Sequence, residues 1–185
     1  IMFGQFLNII VRSIKLDKNL YKNDKNFTES AIYFSVLIVI LALIIQIIPN
    51  NAYIIWGNEI GLFQGKDATI KFRTTIFWGL FFLFLKSLYF YIIEKYLFKN
   101  SNKKFTFVKV LTAVGFSQAP LLFNFLAYKL EYLFILFLTF GWYVASQTIA
   151  LNEIFGYKNK LKSFIVVTSP IWLTLIFVIF YFYIK

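Results

Sequence analysis

Five stretches of this chain, at 31–48, 72–98, 107–128, 132–155 and 164–184, each run for at least 18 residues and consist mainly of Phe, Leu, Ile, Val and Tyr. That pattern limits the fold more than anything else in the sequence. At 1.5 Å per residue, 18 helical residues extend about 27 Å, enough to cross the hydrocarbon core of a bilayer. Inside hydrocarbon every backbone N–H and C=O has to be satisfied within the protein, which leaves helices or a closed barrel. Barrel strands are shorter and alternate with polar positions, whereas the apolar residues here are contiguous, so helices are predicted. A water-soluble core could not hide a chain that is 60% hydrophobic and 22% aromatic, with a mean hydropathy of +0.72. The predicted fold class is an all-α integral membrane protein. A five-helix transmembrane bundle at 29–185 follows an amphipathic interfacial segment at 1–28.

Within the third run, 112–124 reads TAVGFSQAPLLFN and carries a glycine, a serine, a glutamine, a proline and an asparagine. Polar groups in hydrocarbon need partners, so this helix is expected to be surrounded by the others. Pro120 removes a helix hydrogen bond to Phe116, and serine or glutamine side chains of the bundle are expected to meet the freed carbonyl. Gly115 just before it lets a neighbouring helix approach closely. Gly141 and Ala145 form a second small-residue pair, for a contact inside the bundle or between copies.

Residues 2–25 place Phe3, Phe6, Leu7, Ile10 and Ile14 at helical spacing opposite a basic face of Arg12, Lys15, Lys18 and Lys22. An apolar stripe against a cationic face predicts a helix lying in the membrane interface, with membrane lipid as its partner. The alternative is docking on a partner or on the bundle's own cytoplasmic end. Charges interrupt the apolar patch and no small-residue cleavage site follows it, so it does not read as a signal peptide. Thr28 and Ser30 are candidate caps for the first span, which is expected to stop at Pro49. Glycines at 57, 61 and 65 with Tyr53, Trp56 and Phe63 predict a loop or short half-helix lying on the far membrane face over 50–71. Three residues at 129–131 separate the third and fourth spans, which predicts a tight hairpin.

The net charge of +11 does not imply nucleic acid, because the basic residues flank the apolar runs. Thirteen of the 19 lie at 12–25, 95–109 and 158–162, five lie on the other side, and Lys86 lies within a span. Basic excess marks the cytoplasmic side. The expected location is therefore a multi-pass protein of a bacterial inner membrane, N-terminus cytoplasmic and C-terminus on the far side.

With no Cys and no His, the chain has no thiol nucleophile, imidazole base or common transition-metal ligand. No Ser/His/Asp set, phosphate-cradling loop or paired catalytic carboxylates can be assembled, so no enzyme activity, metal or cofactor is expected. The sharpest residue is Lys86, an amine within a membrane run. Counting from the span ends places it near Gln118, with Asn124 and Gln147 in the same candidate polar cluster. Gln118 is the expected partner of Lys86, holding it for packing rather than for throughput.

Three segments, FLNIIVRSIKLDKNLYK, VGFSQAPLLFNFL and WYVASQTIALNEIFGYKNKLKSFIVV, resemble the Ypt-interacting-protein family (the Yip-one domain), in particular its alphaproteobacterial branch. The position before the Gly-aromatic turn, often His in those members, is Ile154 or Phe155 here. The resemblance covers nearly the whole chain and implies five spans with a cytoplasmic N-terminus. The eukaryotic role in vesicle traffic and in binding prenylated small GTPases is not carried over. The resulting expectation is a non-enzymatic membrane organiser or accessory subunit that contacts lipid, other membrane chains or its own copies. The alternative is a small transporter or channel with a polar path around Lys86.

Overall fold

A computed structural model of the chain describes residues 2–22, 26–56, 66–98, 105–128 and 132–184, and all the regular structure among them is helical. In chain order the α-helices are α1 (Met2–Ile14), α2 (Lys18–Lys22), α3 (Glu29–Trp56), α4 (Lys66–Ile92), α5 (Phe107–Phe116), α6 (Tyr132–Phe155) and α7 (Lys160–Ile184). A π-helical turn, Ile93–Phe98, extends α4, and a 3-10 segment, Ala119–Tyr128, extends α5.

Three stretches among the described residues are long and apolar enough to cross a membrane: Arg73–Tyr96, Phe107–Asn124 and Phe134–Phe155. They correspond to the second, third and fourth predicted crossings. The first and fifth coincide with α3 and α7, which continue into residues whose side chains lie outside the described set. The interior position expected for the third run is what the structure has. Of that stretch 56% is buried, against 17% and 33% of the other two. Helix α5 packs against α3, α4 and α6, and Val110, Ala113, Val114 and Phe116 have no exposed surface.

Two boundaries differ from the sequence expectation. Helix α3 does not stop at Pro49 but continues to Trp56. In hydrocarbon an unwound backbone leaves more groups unsatisfied than the single bond a proline removes, so a helix that carries the proline is favoured. Residues 50–56 and 66–71 of the expected loop or half-helix are accordingly helical, while 57–65 lie outside the described residues. The expected hairpin at 129–131 also lies outside them.

The N-terminal segment divides into α1 and α2 at a turn where Leu16 takes a positive φ of 56°. Helix α1 docks on the bundle: Phe6 is buried, its ring 5.6 Å from that of Phe34 on α3, and Ile9, Ile10 and Ile14 pack against the core. Phe3, Leu7 and Val11 remain exposed along the opposite edge. The apolar stripe read from the sequence thus has one edge that meets protein and another that is exposed.

Candidate functional site

Proline chemistry organises the polar interior. Pro120 has no N–H for the carbonyl of Phe116, and α5 ends there, with a turn at 117–118 leading into the 3-10 segment. The freed oxygen accepts a 2.5 Å hydrogen bond from Ser13 Oγ of α1, 103 positions away. Ser13 Oγ lies 3.0 Å from Tyr21 Oη, and because the serine hydrogen goes to Phe116 the phenol is the donor between them. Ser146 Oγ of α6 stands 3.5 Å from both hydroxyls. Trp142 Nε1 of α6 donates to the carbonyl of Ile14 at 2.9 Å, fixing the end of α1. The side chain that caps the freed carbonyl is a serine, and it comes from α1 rather than from one of the predicted spans. Burial pushes the Tyr21 phenol above its ordinary pKa and keeps it a neutral donor.

The same solution recurs in α7. Pro170 frees the carbonyl of Val166, and Ser169 Oγ donates to it at 2.7 Å. Tyr89 of α4 donates in turn to Ser169 at 2.7 Å, tying α4 to α7.

Gly115 is buried against α3: a Cβ there would lie 2.6 Å from the Cβ of Ser35. Gly141 is different, since a Cβ there would meet nothing within 4 Å, and Ala145 is half-buried. That pair makes no close helix approach within the described chain.

Lys86 does not take Gln118 as its partner. Its Nζ donates to Tyr143 Oη on α6 and lies 4.7 Å from the Tyr143 ring centre and 5.7 Å from that of Phe90. Depth along the chain pairs Lys86 with the third or fourth helix but does not rank a tyrosine against a glutamine, because which side chain reaches it depends on helix rotation. Asn124 is buried and accepts a hydrogen bond from Thr139 Oγ1. Gln147 is fully enclosed, and neither its amide oxygen nor its nitrogen has a partner among the described residues. Gln118 is half-buried at the turn. No two of the four candidate polar residues are hydrogen-bonded to each other among the described residues.

An open groove of 510 Å³ runs beside them, lined by Leu121 and Asn124 of the 3-10 segment and by Leu136, Phe137, Thr139, Phe140 and Tyr143 of α6.

At the other end of α4, the π-turn buries Glu94, 1% exposed, whose Oε2 accepts from Tyr157 Oη while Oε1 has no partner among the described residues. Lys162 Nζ sits 4.4 Å from the centre of the Tyr157 ring and 4.3 Å from that of Phe98. Burial, then the Glu94 carboxylate, raise the Tyr157 phenol far above its usual pKa. The sequence signals were an acid within an otherwise basic flank and, for Ser13, a hydroxyl at the spacing of Phe6 and Ile9, too common to single out. Of the predicted basic face, Lys15, Lys18 and Lys22 are exposed, whereas Arg12 Nε pairs with Asp17 at 2.7 Å. That hydrogen bond holds the Asp17 carboxyl below its ordinary pKa.

No curated protein and no solved structure matches the chain. A family model does: the Yip1 domain matches residues 18–182, from α2 almost to the end of α7. With nearly every helix inside that match and helices able to span a bilayer within it, the chain belongs to the Yip1-domain family.

Proposed function

We propose that this Yip1-domain protein crosses the bacterial inner membrane five times, N-terminus cytoplasmic, and acts without catalysis as a membrane organiser or accessory subunit. Its contacts are with lipid and with other membrane chains or copies of itself. The observation that carries the reading is the division of its surfaces. Polar side chains turn inward and cap freed carbonyls, while large apolar faces stay open on α4 (Phe77, Trp78, Phe82), α6 (Phe134, Phe137) and α7 (Trp172, Ile176, Phe180). Lipid covers such faces, and so do neighbouring helices. Purification in mild detergent followed by native mass spectrometry tests it: the expected result is a co-purifying membrane chain or a second copy. A lipid-solvated monomer at every detergent concentration contradicts the reading. A reporter active only in the cytoplasm, fused after Lys185, should be silent.

The groove beside the Lys86–Tyr143 contact favours a second reading, a small transporter or channel. Solute flux in liposomes decides: if the protein conducts and a folded Lys86→Leu variant does not, transport replaces the organiser.

A further inference from the structure

We propose that the groove between the 3-10 segment and α6 is a binding site for a long-chain carboxylic acid taken from the lipid phase. This goes beyond the organiser reading and does not depend on it. At 510 Å³ the groove falls within the roughly 300–1,000 Å³ of ligand sites, and its walls are mainly Leu121, Leu136, Phe137 and Phe140. Phe137 is 74% exposed, so the groove opens on the side where lipid lies.

Its few polar groups are donors. Tyr143 Oη accepts from Lys86 Nζ, which leaves the phenol's own hydrogen to give, and a donor beside a cation is polarised into a stronger one. Asn124 uses its oxygen on Thr139, and its amide NH₂ is a second donor on the groove wall. Behind them Lys86 forms no ion pair among the described residues. A half-buried amine without a counter-charge favours an anion that can be brought to it. The matching ligand has an acceptor-rich, singly negative head for Tyr143 and Asn124, a counter-charge for Lys86, and an unbranched apolar tail for the groove. Tyr143 lies seven positions beyond Leu136 on α6, about 10 Å of helix for the tail to follow.

The test uses the full chain in detergent micelles with a palmitic acid analogue carrying a photoreactive tail. Cross-linking is expected within 121–143. Unlabelled palmitic acid should displace the probe at least tenfold more effectively than methyl palmitate or phosphatidylglycerol. Lys86→Met and Tyr143→Phe should each weaken labelling about tenfold, with thermal stability recorded for both. Tyr143→Phe keeps the ring, so it remains informative if Lys86→Met does not fold. Equal displacement by the methyl ester, which has the tail but no charge, overturns the proposal. So does equal displacement by phosphatidylglycerol, which would make the occupant an ordinary phospholipid, or unchanged labelling of folded Tyr143→Phe.

Discussion

Replacing Gly115 and Gly141 by alanine, separately, isolates the cost of the close approach between α3 and α5. An alanine Cβ at position 115 would stand 2.6 Å from Ser35 Cβ and 3.1 Å from Ser35 O and Oγ. Carbon atoms pack at about 3.5–4.0 Å, so α3 and α5 have to separate by roughly 1 Å, and the obstacle is the base of a side chain and a carbonyl, not a flexible tip. Overpacking of this kind costs about 1–3 kcal/mol. Alanine also gains up to about 1 kcal/mol in helix propensity, but it gains this at both positions, and at 141 the new Cβ meets nothing within 4 Å. The difference between the two variants is therefore the steric term alone: Gly115→Ala should be less stable than Gly141→Ala by about 1–3 kcal/mol. At about 2–4 °C per kcal/mol for chains of this length, the melting temperatures should differ by roughly 2–12 °C. Thermal unfolding in detergent, followed by tryptophan fluorescence, supplies the comparison, and size-exclusion chromatography checks that neither variant changes oligomeric state. Variants within about 0.5 kcal/mol of each other would refute the α3–α5 contact as the reason for the glycine. A worse Gly141→Ala that also dissociates would place α6 against a second copy.

Ser13→Ala leaves the Phe116 carbonyl and the Tyr21 hydroxyl without their shared partner, a loss of about 1–3 kcal/mol, and should expose α1 to proteolysis before the bundle unfolds. Gln147→Met replaces an enclosed amide that has no partner among the described residues with an apolar side chain of similar length, and should raise stability by about 1–3 kcal/mol; a fall would show that the amide is satisfied in the folded protein. Tyr157→Phe strips Glu94 of its phenol donor and should destabilise by at least about 1 kcal/mol, measured by unfolding in sodium dodecyl sulfate. Asp17 has a folded-state pKa below its ordinary value of 3.8, because Arg12 donates to it. Its contribution is complete above 3.8 and is lost as pH falls through the lowered folded value, so Asp17→Asn should flatten the acid limb of the stability–pH curve.

Apolar run length and basic flanks determine, from the sequence alone, that this chain is helical, that helices long and apolar enough to cross a membrane fall near 72–98, 107–128 and 132–155, and that the third is central. These are properties of local composition weighed against a bilayer, so a one-dimensional reading suffices. Pro120 likewise announces a freed carbonyl at Phe116, because the missing N–H is covalent. Which group answers it is another matter. Ser13 arrives from 103 positions away, and Lys86 meets Tyr143 rather than Gln118, because helix rotation and the tilt of neighbouring axes decide which side chains face each other. The same holds for Gly115, enclosed by Ser35, and Gly141, which meets nothing within 4 Å: both sit in small-residue patterns, and only the placement of a second helix tells them apart. Rotation and tilt are set by the packing of all the helices at once, and for that reason the tertiary structure, not the sequence, decided the partners, the groove and the buried Glu94–Tyr157 contact.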